Sequence, residues 1–202
     1  MCPGERIRDK DSTIKKILNT AEEIFSKYGF NAVSIKMISD ASGISDGLIL
    51  YHYKTKENLY KAVRGKIAKR YGNLLKANLK MIGLPKKVML QSIKTVFKFF
   101  KEDKTYNRIS LWSYLEGKND VLENEAKITG KMVEIGKQLQ KLGILRKNME
   151  LIVPLTMVVG SIHFWLRYRQ QYIKMFNLDK KTNEFDELFI KQIYEIMLKG
   201  VL

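Results

Sequence analysis

The chain has 202 residues, a hydrophobic content of 45%, an aromatic content of 10% and a formal net charge of +16 at pH 7. This composition excludes an extensively disordered protein, and the charge favours a polyanionic partner. A single cysteine, Cys2, excludes an intramolecular disulfide and a cysteine-rich metal site, and it fits a reducing cytoplasm.

The first predicted helix covers about residues 12 to 28. Apolar residues recur there at helical spacing, Ser12 stands at the start, and Gly29 follows as a stop signal. The residues before this helix form a short basic arm, which we expect to be frayed without DNA and to follow a phosphate backbone or enter a minor groove. The basic residues of the arm are Arg6, Arg8 and Lys10.

Two short helices around a glycine-containing turn follow, within residues 34 to 59. Ser34 is predicted to cap the first of them and Ser45 the second, because a serine oxygen accepts a hydrogen bond from a free amide at a helix start. Gly43 ends the first short helix, since glycine accepts the left-handed conformation that such a turn needs. This layout is that of a helix-turn-helix DNA reader.

These three helices are predicted to close a unit over roughly residues 12 to 54. The first short helix is expected to turn Ile35, Ile38 and Ala41 inward. The predicted core consists of apolar residues from all three helices and their turns: Ile17, Ala21, Phe25, Val33, Ile38, Ile44 and Ile49.

The pattern after Lys56 is helical to the end, without any strand pattern. Turn-forming residues separate six more helices, at about residues 56–82, 86–102, 105–117, 120–142, 149–176 and 183–200. The predicted fold class is therefore all-α. An N-terminal three-helix helix-turn-helix DNA-binding domain, residues 1–55, precedes a six-helix ligand-binding and dimerisation domain, residues 56–202.

The last two helices carry the predicted dimerisation surface. One has an apolar stripe, and the other has almost no polar face and contains Gly160, which lets another helix approach closely. A monomer could bury both helices internally, but a two-fold dimer through four helices explains them better and matches palindromic DNA. The candidate dimerisation residues are Val159, Ile162, Phe185, Phe189, Ile193 and Ile196.

Aromatic residues are dense in predicted helices five to eight. They are either plain core or the lining of a pocket for a flat or long apolar molecule. The candidate ligand-binding residues are Trp112, Tyr114, Phe164 and Trp165.

Other classes of protein find little support. The chain has no nucleotide-cradling glycine motif, and His52 and His163 are its only imidazoles, so we expect neither an enzyme nor a bound cofactor or metal. Its most apolar run, residues 151 to 166, is shorter than a membrane span and contains Pro154. We therefore expect a soluble, cytoplasmic protein.

The order of parts resembles the TetR family of transcriptional regulators. Beyond Leu59 the resemblance rests on the number and length of the helices alone. Up to Leu59 it rests on residues that stand where the N-terminal signature of that family expects such types: Ala21, Phe25, Gly29, Ser34, Ile38, Ala41, Gly43, Ser45, Gly47, Tyr51, Tyr53, Lys56 and Leu59.

The resemblance implies roles for individual residues. Phosphate or sugar contacts fall to Ser34, Tyr51, His52 and Lys56, and base edges in the major groove to Ser45, Asp46, Gly47 and Leu48. Leu50 departs from the family pattern, because this position is usually aromatic. Asp46 stands where a basic or amide residue is common, and it either caps the helix or accepts from a cytosine amino group.

The resemblance also implies a homodimeric repressor that binds a palindromic operator and is released by a small apolar or aromatic inducer. Inducer binding would shift the helix that begins near Lys56, so that the two reading helices no longer match one DNA turn of roughly 34 Å. Two alternatives remain at this point. The second half could respond to a protein partner, or the protein could bind DNA without sequence preference.

Overall fold

The computed structural model describes residues 3–79, 85–118, 120, 123–178 and 181–201. All regular secondary structure in these ranges is helical, which confirms the all-α fold class. The helices are α1 Pro3–Tyr28, α2 Ile35–Ser42, α3 Asp46–Tyr53, α4 Lys56–Leu79, α5 Pro85–Glu102, α6 Lys104–Leu115, α7 Glu123–Lys141, α8 Ile152–Met175 and α9 Thr182–Val201.

The largest difference from the predicted boundaries lies at the N-terminus. The helix α1 begins at Pro3 and not near residue 12, so the predicted basic arm is part of α1. Proline suits a first helical position, because it lacks the amide hydrogen that would be unpaired there. Further along, α7 begins at Glu123 rather than at 120, and the predicted helical residues 80–82 and 121–122 lie outside the described residues.

The chain divides into two compact units. The first unit consists of Met1–Lys69 and Lys104–Glu125, and the second of Arg70–Asp103 and Ala126–Leu202. The first unit therefore contains α6 as well as α1, α2, α3 and the first part of α4. This grouping by packing differs from the boundary expected after residue 55. That boundary concerns function and stays a prediction.

The core of the first unit follows the predicted pattern closely. Six of the seven predicted core residues are buried, and Ile44 is half-buried. The inward face of α2 differs by one position, because Ala41 is exposed and Ser42 is buried. Ser42 tolerates burial because its hydroxyl donates to the carbonyl of Ser39 at 3.3 Å and accepts from the amide of Ile44 at 3.3 Å.

The helix α6 packs on α1 within the first unit. The carboxylate of Glu22 in α1 is buried, lies 2.6 Å from Lys66 Nζ and accepts from Thr105 Oγ1 at 2.6 Å. The hydroxyl groups of Tyr60 and Ser113 lie 2.7 Å apart. These polar contacts join three segments that are far apart in the chain, so α6 is an integral part of the first unit.

In the second unit α5 packs on α8 and α9. Phe100 of α5 is 2% exposed and stacks on the imidazole of His163 in α8, with ring centroids 4.0 Å apart. Burial, and then the charge of Arg167, lowers the pKa of His163 below its ordinary value. The neutral imidazole is therefore favoured inside this unit.

A buried carboxylate also links the helices of the second unit. Asp186 of α9 is 2% exposed, and its Oδ2 lies 2.9 Å from Lys101 Nζ and in contact with Arg169 Nη1. Its Oδ1 accepts from Trp165 Nε1 at 2.9 Å. One side chain of α9 thus satisfies polar groups of both α5 and α8. No helix within the described ranges is long and apolar enough to span a membrane.

Candidate nucleic-acid interface

The helix α2 begins and ends as its sequence predicts. Ser34 has extended backbone geometry, and its hydroxyl oxygen accepts from the amide of Met37 at 3.2 Å. Gly43 follows α2 with φ +65°, and its amide donates to the carbonyl of Ser39 at 2.8 Å. The cap and the glycine together fix the length of α2 and the direction in which the chain leaves it.

The helix α3 is capped in the same way. The hydroxyl oxygen of Ser45 accepts from the amide of Leu48 at 3.3 Å. Asp46 is the first residue of α3, so its carboxylate stands at the helix end that favours negative charge. The cap hydrogen bond of α3 therefore belongs to Ser45, and Asp46 supplies a charge in the first turn.

One face of α3 is open to solvent. Gly47 is exposed, and a Cβ built on it would meet no atom within 4 Å. Leu48 is 40% exposed and Tyr51 66% exposed, at positions that share this face. The opposite side is anchored by Ile49, which is fully buried. An exposed face with a glycine near the helix start allows close approach of another backbone.

Aromatic and cationic groups gather where α3 ends. The rings of Tyr51 and His52 meet edge to face at 5.3 Å, and Lys54 Nζ lies 5.2 Å from the centroid of the Tyr51 ring. Lys54 has φ +66°, and its amide donates to the carbonyl of Leu50 at 2.8 Å. Burial raises the pKa of Tyr53. The neighbouring Leu50 is 38% exposed, so this departure from the family pattern leaves an apolar group on the surface.

Lys56 has a different environment from the one expected. Its ammonium group donates to the carbonyls of Phe30 at 3.0 Å and Val33 at 2.8 Å, and it lies 4.3 Å from the centroid of the Phe30 ring. An ammonium group has three donors, so two of them hold the turn between α1 and α2. The structure thus gives Lys56 a role within the fold that the sequence did not indicate.

Another residue at this turn was not found from the sequence. The carboxylate of Glu116, just after α6, accepts from the backbone amides of Phe30 at 2.8 Å and Asn31 at 3.0 Å. No local signal predicts this contact, because the partners are 85 and 86 positions apart. Only the packing of α6 on α1 brings them together.

Arg64 and Trp112 make further contacts around α6. Arg64 of α4 donates to the carbonyl of Lys118 at 2.9 Å and to the carbonyl of Asp120 at 2.8 Å. A Cβ built on Gly29 would lie 2.9 Å from the ring of Trp112. The side chain of Trp112 therefore lies directly against the end of α1.

The four candidate ligand-binding residues fall in different units. Trp112 and Tyr114 belong to the first unit, and Tyr114 is 74% exposed. Phe164 and Trp165 belong to the second unit, where Phe164 is 55% exposed and Trp165 stacks on Phe189 at 4.9 Å. The two pairs of candidate ligand-binding residues therefore lie in separate units.

A groove of about 920 Å³ lies between α5 and α9 in the second unit. Its lining combines apolar and charged side chains and includes none of the four candidate ligand-binding residues. The lining residues are Leu90, Lys94, Asn183, Glu184, Glu187, Leu188, Ile190, Lys191, Tyr194 and Glu195.

The candidate dimerisation residues differ widely in exposure. Ile196 is 65% exposed, whereas Ile162 has no exposed surface, so Ile162 cannot reach a partner chain and belongs to the core. The remaining four are half-buried: Val159, Phe185, Phe189 and Ile193. The helices α8 and α9 also pack on each other within one chain.

The open apolar surface of α8 lies elsewhere on that helix. We call it the α8 face, and it consists of Val153, Met157, Gly160 and Phe164, at spacings of four, three and four residues. The three side chains are 53%, 58% and 55% exposed, and a Cβ on Gly160 would meet no atom within 4 Å. Phe164, one of the candidate ligand-binding residues, therefore lies on this outward face, and its role stays a prediction.

A family match lies in the N-terminal part of the chain. Residues 17–63 match the family of bacterial regulatory proteins called the tetR family. The HTH-type transcriptional regulator RutR of Escherichia coli K12 is 37% identical over 60 residues, which are 30% of this chain and 28% of RutR. The matched segment therefore spans less than a third of the length of that relative.

Solved structures resemble the chain over nearly all its length. A TetR family transcription regulator from Marinobacter aquaeolei VT8 has a TM-score of 0.74 at 15% identity, covering 94% of this chain and 97% of its own. The regulator FadR from Bacillus subtilis, solved in complex with stearoyl-CoA, has a TM-score of 0.67 at 15% identity, covering 93% and 99%. At these identities the likeness shows a shared fold.

Proposed function

We propose that the whole protein is a DNA-binding transcriptional regulator of the TetR family, because its residues 17–63 match that family. The observation that carries the proposal is the arrangement of α2 and α3. Serine caps start both helices, Gly43 with φ +65° joins them, and α3 leaves one face open to solvent. This is the geometry by which a helix-turn-helix places its second helix in a major groove.

In this proposal α3 is the reading helix. Ser45, Gly47 and Leu48 face base edges, and Asp46 either accepts from a cytosine amino group or only supports the helix start. Tyr51, His52 and Ser34 contact the backbone, where hydroxyl and imidazole groups hydrogen-bond to phosphate. Lys56 acts through the turn that it holds, with one ammonium donor left for phosphate.

We propose that the protein works as a homodimer and that the α8 face and Ile196 form the interface. A contiguous apolar helix face on a monomer usually marks an association site. Gly160 supports a close approach of helices, because nothing fills the space next to it. A two-fold axis there would pair α8 and α9 with their copies and present two reading helices to a palindromic operator.

We propose that the protein acts in the cytoplasm and that a small apolar or aromatic molecule controls its DNA binding. This molecule would bind in the second unit. The aromatic rings of Tyr71, Phe99 and Phe100 cluster there with His163, at centroid distances of 4.0 to 5.8 Å. The binding of stearoyl-CoA by FadR makes long acyl chains the first compounds to test. Such a ligand relieves repression only if it binds the DNA-free form more tightly than the DNA-bound form.

The test begins with wild-type protein and a random duplex library. Sequencing of the retained duplexes is expected to give a palindrome whose half-sites are one or more DNA turns apart. Fluorescence anisotropy then compares this selected duplex with a scrambled one at two salt concentrations. A selected duplex that binds no tighter than the scrambled one overturns the proposal, because it leaves only the salt-dependent phosphate attraction.

Two variants separate base contacts from phosphate contacts. Leu48→Ala is expected to weaken binding to the selected duplex by roughly fivefold or more and to leave the scrambled duplex unaffected. Tyr51→Phe is expected to weaken both, because it removes a hydroxyl that contacts the backbone. Tyr114→Phe, which changes an exposed tyrosine of α6, is the matched control and should leave both affinities unchanged.

Effector action has a separate readout. Stearoyl-CoA is added to the complex with the selected duplex, and coenzyme A without an acyl chain serves as the control. Release by the acylated compound alone, with a rise in melting temperature of the free protein, supports the effector proposal. A melting temperature that rises while the DNA affinity stays the same contradicts it for that compound.

A further inference from the structure

We propose that Glu116 is a positioning residue for sequence-specific DNA recognition, which rests on the proposed function. It lies outside the helix-turn-helix in the sequence. Its carboxylate accepts two hydrogen bonds from the turn between α1 and α2, from the amides of Phe30 and Asn31. Through this turn it sets where α2 begins.

A carboxylate at the position of Glu116 would be electrostatically unfavourable without those two amides. It directly follows α6, where the unpaired carbonyls of the helix end repel a carboxylate. The amides of Phe30 and Asn31 follow Gly29, which has φ +80°, and they point at one carboxylate. Successive amides of this kind form a concave site for an anion. The two hydrogen bonds from these amides therefore offset the repulsion that Glu116 meets at the end of α6.

The carboxylate is also held rigidly from its own side. The chain leaves α6 through Gly117, with φ +65°, and the amide of Lys118 donates to the carbonyl of Ser113 at 2.8 Å. This closure satisfies a free carbonyl of the helix end. Arg64 then fixes the following backbone by donating to the carbonyl of Lys118 at 2.9 Å. Glu116 thus sits on a backbone that is fixed on both sides.

The turn that Glu116 holds is also fixed by Lys56. Glu116 takes the amides of Phe30 and Asn31, and Lys56 donates to the carbonyls of Phe30 and Val33. Ser34, the cap of α2 and a proposed phosphate contact, comes next in the chain. A carboxylate just after α6 and an ammonium group from α4 therefore determine together the point from which α2 and α3 are placed.

Loss of Glu116 should affect sequence-specific DNA binding more than non-specific DNA binding. If the turn loses its carboxylate, its two amides return to water and the placement of α2 and α3 loosens. Base readout depends on the position of α3 to within a fraction of an ångström, whereas attraction to phosphates does not. Removing Glu116 should therefore lower the ratio of specific to non-specific affinity and leave the salt dependence of non-specific binding unchanged.

The experiment uses the full chain and a duplex selected from a random library with wild-type protein. Glu116→Gln keeps the size of the side chain and removes its charge, and Glu134→Gln on α7 makes the same charge change on an exposed residue of the second unit. Kd is measured for the selected and a scrambled duplex at two salt concentrations. We expect the Kd for the scrambled duplex divided by the Kd for the selected duplex to fall tenfold or more for Glu116→Gln. The same ratio should be unchanged for Glu134→Gln.

Hydrogen exchange supplies a readout that a general loss of stability would not produce. The amides of Phe30 and Asn31 should exchange at least tenfold faster in Glu116→Gln, while core amides of α1 near Phe25 stay protected. Glu116→Asp, which keeps the charge one methylene further back, should lower the ratio by a smaller factor. It also serves as the test if the glutamine variant fails to fold.

The outcomes are distinct for the two proposals. A wild-type ratio of one overturns the proposed function itself. If the wild-type protein prefers the selected duplex and Glu116→Gln prefers it equally strongly, the role of Glu116 is overturned. If Glu116→Gln is unfolded, the same comparison is made with Glu116→Asp. A reduced ratio without faster exchange at Phe30 and Asn31 also overturns it, because the loss would then not act through the turn.

Discussion

The phenol oxygen of Tyr60 and the hydroxyl oxygen of Ser113 lie 2.7 Å apart inside the first unit and join α4 to α6. Both residues are buried. Tyr60→Phe should lower the free energy of unfolding by about 2 kcal/mol, because it leaves a buried hydroxyl without its partner. Urea unfolding of Tyr60→Phe, Ser113→Ala and the double variant checks this. Fully additive losses would mean that the two hydroxyl groups do not interact.

Gly29 and Gly43 form a matched pair of glycines with positive φ, at +80° and +65°. Gly43→Ala should cost about 1 kcal/mol for the backbone conformation alone, since a Cβ there meets no atom within 4 Å. Gly29→Ala should cost clearly more, because its Cβ would lie 2.6 Å from Glu116 Oε1 and 2.9 Å from the Trp112 ring. Unfolding curves measure both losses. Equal losses would contradict close packing at Gly29.

Asp186 should be among the least replaceable side chains of the second unit. Asp186→Asn removes a buried charge that pairs with Lys101 and Arg169, and a broken buried pair costs about 3 to 5 kcal/mol. Denaturant unfolding measures the loss. Glu195→Gln is the control, since its pair with Lys191 spans 3.9 Å at the surface and should contribute little. An Asp186→Asn protein as stable as the control would contradict the buried network.

His163 makes the stability depend on pH. Burial lowers its pKa in the folded state below the ordinary value of 6.5, so the unfolded chain binds more protons as the pH falls below 6.5. The free energy of unfolding should therefore decrease on acidification through that range, by at most about 1.4 kcal/mol per pH unit from this group. Unfolding at pH 7.5 and pH 5.5 tests the sign. His163→Gln should show a smaller difference between the two pH values, and an unchanged difference would assign the effect to other groups.

The α8 face should control the oligomeric state. Met157→Glu places a carboxylate near its own copy across a two-fold axis, so the dimer should dissociate and operator affinity should fall. Sedimentation velocity measures the first effect and anisotropy the second. Leu115→Glu, at a 63% exposed residue of α6, introduces the same charge elsewhere and should remain dimeric. A dimeric Met157→Glu protein would place the interface on another surface.

The parts that the sequence predicts well are those with local causes. Ser34, Gly43 and Ser45 act on amides and carbonyls only a few residues away, so the positions of α2 and α3 follow from short-range rules. The start of α1 was predicted too late, because Ser12 is an acceptable cap and also an acceptable helix residue. Pro3, as a favoured first residue, extends the helix beyond that signal.

The parts that the sequence does not predict depend on packing between distant segments. A helix that is apolar on several sides does not reveal which side is covered by its own chain, so Ile162 was assigned to the dimer surface and is in fact core. Phe164 was predicted to bind a ligand and lies 55% exposed on the α8 face, so its role stays a prediction. The contact of Glu116 with Phe30 links residues 86 positions apart, and no periodicity or motif records it.

A first unit built from two separate stretches of chain cannot be exchanged as a cassette. If residues 1–55 were joined to the C-terminal half of another protein, the amides of Phe30 and Asn31 would lose their acceptor, Glu116. The carbonyls of Phe30 and Val33 would lose their donor, Lys56. A functional hybrid would have to carry α4 up to Lys69 and the whole of α6 with their connections. Under the proposed function, the operator preference is therefore easier to change by substitution on α3 than by recombination of halves.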